Sequence, residues 1–293
     1  MAKSRTRFLL AGLLHLALAA LTVLGAIFVV RLIVRPLAEI VFGLDEAATS
    51  IFRRVSILAA TVLSYWGFVR LYERRRVTEL APRWRWIALA GAAGSVSIGV
   101  TILTLYASGH YRLASTRGFG QAVGVLGLIL VAAVIEEITF RGVLFRIVEE
   151  RVGTRAALAT SALIFGAVHL ENHGARPITL LSVTLCGLMW AGVFVVSRNL
   201  WVAAAHHACW NATIFLIGVP LSGSEEWRVR APMETAYSGS DLWTGAAFGP
   251  EDSLITIVLM AAICVGLWRL ARHLGQIRPA APEMKGQVTQ LNE

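Results

Sequence analysis

Two adjacent carboxylates and an arginine stand inside an apolar stretch of the sequence. Glu136, Glu137 and Arg141 lie within the run at 123–147. Charges at bilayer depth are costly unless they are paired, hydrated or in use. Glu137 and Arg141 are four residues apart and can neutralise each other on one helix face, whereas Glu136 points about 100° away around the helix. Glu136 is therefore a candidate for chemistry, and the other two residues can form an ion pair that supports it.

Further polar side chains occur in two other apolar runs. His169 lies near the end of one run, and His207 and Asn211 share a face of another because they are four residues apart. At 1.5 Å per residue from the predicted helix ends, Glu136 lies about 15 Å deep, His169 about 20 Å, and the other two about 10–16 Å. One buried histidine is ordinary, but this overlap in depth predicts a single intramembrane site.

A carboxylate, two imidazoles and a carboxamide suggest hydrolysis. Glu136 would take a proton from water and return it later, and His169 would hold the water or share the proton. His207 and Asn211 would donate hydrogen bonds to a tetrahedral oxyanion. The same residue types leave an alternative open, since Glu136, His169 and His207 match a catalytic zinc set with one free position. The HExxH spacing of many zinc proteases is absent.

The elements that must position these residues are transmembrane helices. The chain is 56% hydrophobic and 15% charged, with a mean hydropathy of +0.66, which is too apolar for a soluble domain of 293 residues. We expect an all-α, polytopic membrane bundle of about eight spanning helices, the first retained as a helix and not cleaved as a signal peptide. The predicted spans are 8–30, 55–72, 86–108, 122–147, 156–171, 177–197, 200–219 and 251–271.

The distribution of basic residues predicts the orientation. With the N-terminus inside, 18 of the 27 lysines and arginines fall in inner segments. The positive-inside rule then places both termini in the cytoplasm. The net charge of +9 is thus an orientation signal, and we expect the lipid bilayer, not nucleic acid, as the partner. The composition, rich in alanine and arginine, favours a bacterial inner membrane.

Three regions follow from this pattern. Residues 1–119 hold N-terminal helices and a basic cytoplasmic loop, and residues 120–220 hold the helices with the candidate site. Residues 221–293 add an outer connection, the last helix and a polar tail. The connection at 220–250 either caps the bundle or is a plain loop, and of these two we favour the plain loop. We expect the tail from Gln276 onward to be disordered.

The polar residues form three motifs in a recognisable order. They are Glu136-Glu137-x-x-x-Arg141, Phe165-x-x-x-His169 and His207-x-x-x-Asn211, each on a separate predicted helix. This pattern resembles the CAAX protease and bacteriocin-processing (CPBP, Rce1-like) intramembrane endopeptidases. The resemblance covers about residues 120–220, and the rest of the chain is matched only in being helical or polar.

The resemblance implies an eight-helix bundle with a cavity open to the membrane. By family analogy, Glu136 and His169 would activate water, and His207 and Asn211 would form the oxyanion site. The other motif residues would have supporting roles; these are Glu137, Arg141 and Phe165. His206 lies outside the motifs, and we interpret it as structural.

Cofactor and substrate follow from the same resemblance. Family members have been described both as metalloproteases and as metal-free glutamate peptidases. One carboxylate with an asparagine favours no cofactor, with a divalent metal such as zinc as the alternative. The substrate would be a membrane-associated protein or peptide, cut near its C-terminus or membrane segment.

Two other functions use the same residues. A proton-coupled transporter also needs glutamate and histidine inside helices, but the chain shows no internal repeat and no pair of glycine- or proline-broken helices in corresponding positions. A catalytically silent scaffold for a membrane partner is the third possibility.

Overall fold

The described residues of the computed structural model are 2–280 for the backbone and 10–280 for the side chains, and they are mainly helical. The expected all-α membrane bundle is confirmed, with two short strands added. Within these described ranges, six helical stretches are long and apolar enough to cross a membrane. They are Leu10–Phe42, Glu46–Tyr72, Trp84–Ala107, Ala122–Glu171, Pro177–Ser197 and Leu254–His273.

The elements are numbered in chain order. The long helices are α1 (Ala2–Val29), α3 (Glu46–Gly67), α4 (Trp84–Ala107), α5 (Ala122–Glu137), α6 (Arg146–Val168), α7 (Pro177–Ser197), α8 (Leu200–Leu216) and α11 (Leu254–His273). The short elements are α2 (Arg35–Phe42), β1 (Tyr111–Thr116), α9 (Glu225–Arg228), β2 (Met233–Tyr237) and α10 (Asp241–Thr244).

The eight predicted spans each coincide with a helix, although six stretches of the described residues meet the length and hydropathy of a membrane span. The stretch Ala122–Glu171 contains two of the predicted helices, which Gly153 separates with φ 84° and ψ 167°. The predicted span at 200–219 is α8, a shorter helix of 17 residues. The difference in number thus comes from one merged pair and one short helix.

A π-helical segment joins α5 to α6. It covers Ile138–Phe145 and begins directly after Glu137. A π-helix is wider than an α-helix and is frequent at functional sites. Arg141 lies in this segment, four residues after Glu137, so the paired charges of the first motif straddle the change of helical geometry.

Small residues allow the helices that carry the motifs to approach closely. Helix α4 packs along α8, and α6 packs along α7. A Cβ atom on Gly94 would lie 2.2 Å from the carbonyl oxygen of His206, and one on Gly187 would lie 3.0 Å from Cα of Ala162. Glycine at these two positions lets the backbones touch, which fixes α8 and α7 around the site.

The interpretation of residues 220–250 as a plain loop is wrong. The segment contains α9, β2 and α10, and β2 pairs antiparallel with β1 from Tyr111↔Tyr237 to Thr116↔Met233. Backbone hydrogen bonds also close the segment on itself, since the amide of Gly223 donates to the carbonyl of Phe248 at 2.9 Å. The connection, together with the turn Pro250–Asp252, is therefore a folded cap over residues 220–252.

The predicted tail and the start of the last helix also differ from expectation. Gln276 and Arg278 are held by the body of the protein, because Arg198 donates to the Gln276 carbonyl and the Arg278 amide donates to Oγ1 of Thr154. The rest of the predicted disordered tail, 281–293, lies outside the described residues. The last helix begins at Leu254 and not at 251, since Ser253 caps its N-terminus by accepting from the amide of Ile255.

Candidate active site

A cavity of about 150 Å³ lies among α5, α6, α7, α8 and the 220–252 cap. Its wall contains Glu136 near the end of α5, His169 directly after α6, and both His207 and Asn211 on α8. The structure therefore brings together the four polar residues that the sequence placed at similar depth. Phe165 also lines this cavity.

The ion pair of the first motif lies behind the cavity wall. Glu137 and Arg141 are both fully buried, and Nη1 of Arg141 donates to Oε1 of Glu137 at 3.0 Å. Nη2 of Arg141 donates to the carbonyl of Gly187 on α7 at 2.7 Å. The ring of Phe165 covers the guanidinium, with the carbon of the group 4.9 Å from the ring centroid. The pair thus ties the π-helical segment to α7.

His207 is held in one orientation by two neighbours. Its Nδ1 lies 3.0 Å from Oε1 of Glu137, and its ring stacks on Trp190 with centroids 3.6 Å apart and planes at 16°. A carboxylate only accepts hydrogen bonds, so Nδ1 of His207 is the donor. The other nitrogen, Nε2, is 3.8 Å from Oε2 of Glu136. His207 consequently stands between the two adjacent carboxylates.

His169 is oriented by the residue one helical turn before it. Its Nδ1 lies 2.7 Å from the carbonyl oxygen of Phe165, and the two rings are 4.5 Å apart. Because a carbonyl only accepts, Nδ1 carries the proton and Nε2 of the neutral ring is the free acceptor. The spacing of the second motif therefore sets the tautomer of its histidine.

Asn211 and His206 differ in their surroundings. The Oδ1 atom of Asn211 is buried and accepts no hydrogen bond from the described residues, so this cavity-lining amide has capacity left for a ligand.

His206 is not part of the cavity wall, and its Nδ1 accepts from Nε1 of Trp190 at 3.2 Å. His206 thereby holds the indole that stacks on His207, which fits a structural residue.

The sequence reasoning missed four amide, hydroxyl or carboxyl side chains of the wall, which are Asn172, Ser222, Ser224 and Glu251. Glu251 is only 3% exposed and belongs to the turn Pro250–Asp252. The acidic pair Glu251-Asp252 directly before an apolar run was the available signal, but the predicted last helix, 251–271, included both residues. The missing information was that the cap folds back over the motif helices.

Burial raises the pKa values of both carboxyl groups in this turn. Burial raises the pKa of Glu251 to about 7, although hydrogen bonds from the side chain and backbone of Ser222 oppose the shift. Burial also raises the pKa of Asp252 above its usual range, against hydrogen bonds from Ser182 and Thr179. A neutral carboxyl group at Glu251 is therefore accessible next to the cavity near pH 7.

The donor set does not fit a three-ligand metal site. Among residues 10–280, no group of three or more histidine, cysteine, aspartate or glutamate side chains is arranged to hold an ion. We accordingly derive no step through a metal.

Comparison with known proteins adds one match. Residues 118–213 match the family described as type II CAAX prenyl endopeptidase Rce1-like, and this segment contains all three motifs. No curated protein and no solved structure matches the chain. The match covers about a third of the chain and confirms the resemblance to the CPBP family over that part. With six helical stretches among the described residues able to cross a membrane, the chain is an integral membrane protein whose residues 118–213 are similar to the type II CAAX prenyl endopeptidase Rce1-like family.

Proposed function

We propose that the protein is an intramembrane endopeptidase that cuts a membrane-associated protein or peptide near its C-terminus or membrane segment. One observation carries the proposal: a carboxylate, two imidazoles and a carboxamide from three helices line one cavity, in a segment that matches the Rce1-like family. The cavity is small, so it suits a peptide bond and a water molecule more than a folded domain.

Glu136 is the general base in this proposal. Its side chain is 31% exposed, which makes it accessible to water from the cavity. His169 has its Nδ1 proton committed to the Phe165 carbonyl, so its Nε2 atom accepts a hydrogen bond from the same water. Together the two residues remove a proton from the water and orient its oxygen toward the substrate carbonyl.

His207 and Asn211 stabilise the oxyanion. Donation from Nε2 of His207 requires the imidazolium form, because Nδ1 already donates to Glu137. The carboxylates of Glu137 and Glu136 lie 3.0 and 3.8 Å from the two ring nitrogens. A donor aimed at the developing oxyanion is worth a few kcal/mol of transition-state stabilisation.

We further propose that both termini face the cytoplasm of a bacterial inner membrane, as the distribution of basic residues favours. Glu136, His169, His207 and Asn211 then lie within the bilayer. Substrates would reach them from the membrane and not from bulk water.

The test is cleavage of membrane-embedded C-terminal peptides by the purified protein in detergent, with the cut bond identified by mass spectrometry. Glu136→Gln should lower cleavage by at least about 10²-fold, the usual contribution of a general base. Glu226→Gln is the matched control, because that carboxylate is 73% exposed on the cap and pairs with Arg230.

Three results would contradict the proposal in different ways. Equal cleavage by the Glu136→Gln variant would remove Glu136 from the chemistry. If no peptide in a broad panel is cut, substrate-dependent flux into proteoliposomes would instead identify a proton-coupled carrier. The absence of both cleavage and flux would favour the silent scaffold.

A further inference from the structure

A second carboxyl group lines the cavity with Glu136 and lies outside the Rce1-like segment. Glu251 belongs to the turn before α11, more than 100 residues from Glu136 in sequence, and it lines the same cavity. We propose that Glu251 is the general acid that protonates the amine leaving the cut peptide bond. This inference rests on the proposed function and assigns to Glu251 the proton return that the sequence had suggested for Glu136.

The turn that carries Glu251 is held from two sides. Oε2 of Glu251 accepts from the amide of Ser222 at 2.9 Å and from its hydroxyl at 2.7 Å. The neighbouring Asp252 accepts from Oγ1 of Thr179 at 2.5 Å and from the hydroxyl of Ser182, both on α7. The turn therefore cannot swing freely, and Glu251 has a defined position relative to α7.

The two carboxyl oxygens of Glu251 differ in the number of hydrogen bonds that they accept. Both bonds from Ser222 reach Oε2, and within residues 10–280 no hydrogen bond to Oε1 is found. A carboxyl group that only tied the cap together would gain from partners on both oxygens. An oxygen left without a partner at a cavity wall is free to carry a proton and to meet a substrate atom.

The surroundings of Glu251 favour the protonated form near neutral pH. Its pKa rises to about 7 through burial, and the charge of Asp252 adds to the shift. Ser222 and the imidazole of His207 act in the opposite direction. Arg176 faces Asp252 at 3.7 Å and moderates its charge. Glu136 is the more exposed carboxyl of the cavity, so the two groups suit opposite tasks: base for Glu136 and acid for Glu251.

The proton balance is complete without a co-reactant. Glu136 takes one proton from water, and the resulting hydroxide forms a C–O bond with the carbonyl carbon. As the tetrahedral intermediate collapses, the C–N bond breaks and Glu251 gives its proton to the amine nitrogen. Glu251 regains a proton from the new carboxylic acid, and Glu136 passes its proton to the free amine. The products are a carboxylate and an ammonium group.

A pair of substrates separates an acid from a structural residue. An alkoxide leaves more easily than an amine anion, so ester cleavage depends less on a general acid. We would measure kcat/KM of Glu251→Gln on a cleaved peptide and on its ester analogue at the same bond. The peptide value should fall by about 10²–10⁴-fold, the usual contribution of a general acid, and the ester value by far less.

The control is Asp252→Asn, which changes the adjacent carboxyl that faces α7. It should affect peptide and ester alike. Equal losses on both substrates in Glu251→Gln, or no loss, would overturn the proposal. These values are ratios to the wild-type rate, so they can be measured only when the wild type cleaves the peptide. Failure of the Glu251 proposal therefore leaves the proposed function intact, and failure of the proposed function is detected separately by its own test with Glu136→Gln.

A second variant covers the case in which Glu251→Gln does not fold. Ser222→Ala keeps the carboxyl and removes the hydroxyl that lowers its pKa. The pKa of Glu251 should then rise, so peptide cleavage should persist to higher pH than in the wild type. An alkaline limb at the wild-type position would reject Glu251 as the acid.

Discussion

Glu137 on α5 and His207 on α8 are 70 residues apart in sequence, and Oε1 of Glu137 lies 3.0 Å from Nδ1 of His207. The same oxygen accepts from Arg141. One buried carboxylate thus neutralises the arginine of its own motif and orients the histidine of another. Glu137 of the first motif is therefore a positioning residue for His207 of the third motif.

This relationship predicts the behaviour of Glu137→Gln. The amide cannot neutralise Arg141 or His207, so an imidazolium at His207 loses its closest support. Peptide cleavage should fall by up to about 10³-fold, as when one oxyanion donor is lost. The fall should appear in kcat more than in KM, because the ground-state substrate does not depend on this charge.

The same variant should lose stability. Removing one partner of a buried ion pair costs about 3–5 kcal/mol, and both side chains are fully buried. Thermal unfolding in detergent measures this loss. Glu226→Gln, which breaks an exposed pair with Arg230, should change stability by no more than about 1 kcal/mol. Equal stability of the two variants would show that the Glu137–Arg141 pair is not important for folding.

Removal of metal ions tests the chemistry in another way. We expect a zinc chelator to leave peptide cleavage within about twofold of the untreated rate, because a bound ion would have to draw ligands from a set that is not arranged to hold one. Restoration of a lost rate by added zinc would return Glu136, His169 and His207 to the role of ligands.

The motif residues could be predicted because local spacing controls them. Residues four apart share a helix face, so the partner of Glu137 and the carbonyl that orients His169 were both within one turn. Apolar run length likewise predicted where helices lie. These features depend on a few neighbouring residues, which the sequence shows directly.

The cap over the cavity could not be predicted in this way. Its strand β2 pairs with β1 across more than 100 residues, and Glu251 reaches the cavity only because this segment folds back. The contact between Glu137 and His207 has the same origin, since it needs two helices that are distant in sequence. Tertiary packing decides such contacts, and spacing within one helix does not show them.

The buried state of Glu251 predicts a pH dependence of stability. Its pKa is about 7 in the folded protein and near the ordinary 4.5 when unfolded. Between these values the folded state binds more protons, so the free energy of unfolding falls as pH rises from about 4.5 to about 7. The total contribution is on the order of 3 kcal/mol. Below pH 4.5 the group is neutral in both states and contributes no slope.

Unfolding of wild type and Glu251→Gln in detergent across this pH window measures the contribution. The wild type should lose stability relative to the variant as the pH rises. Curves that run parallel would mean that Glu251 is ionised in the folded protein throughout the window, and the carboxyl would then be unable to supply a proton at neutral pH.

The contact between α4 and α8 gives the last prediction. A Cβ atom at Gly94 would lie 2.2 Å from the carbonyl oxygen of His206, and neither backbone can yield without moving its helix. Gly94→Ala should therefore destabilise the protein by about 1–3 kcal/mol and should lower cleavage by displacing His207. Gly99→Ala on the same helix is the control, because no atom lies within 4 Å of its added Cβ. That substitution should be neutral or stabilise by up to about 1 kcal/mol through helix propensity. If the two variants unfold at the same temperature and cut peptide at the same rate, close packing at Gly94 does not position the catalytic helix.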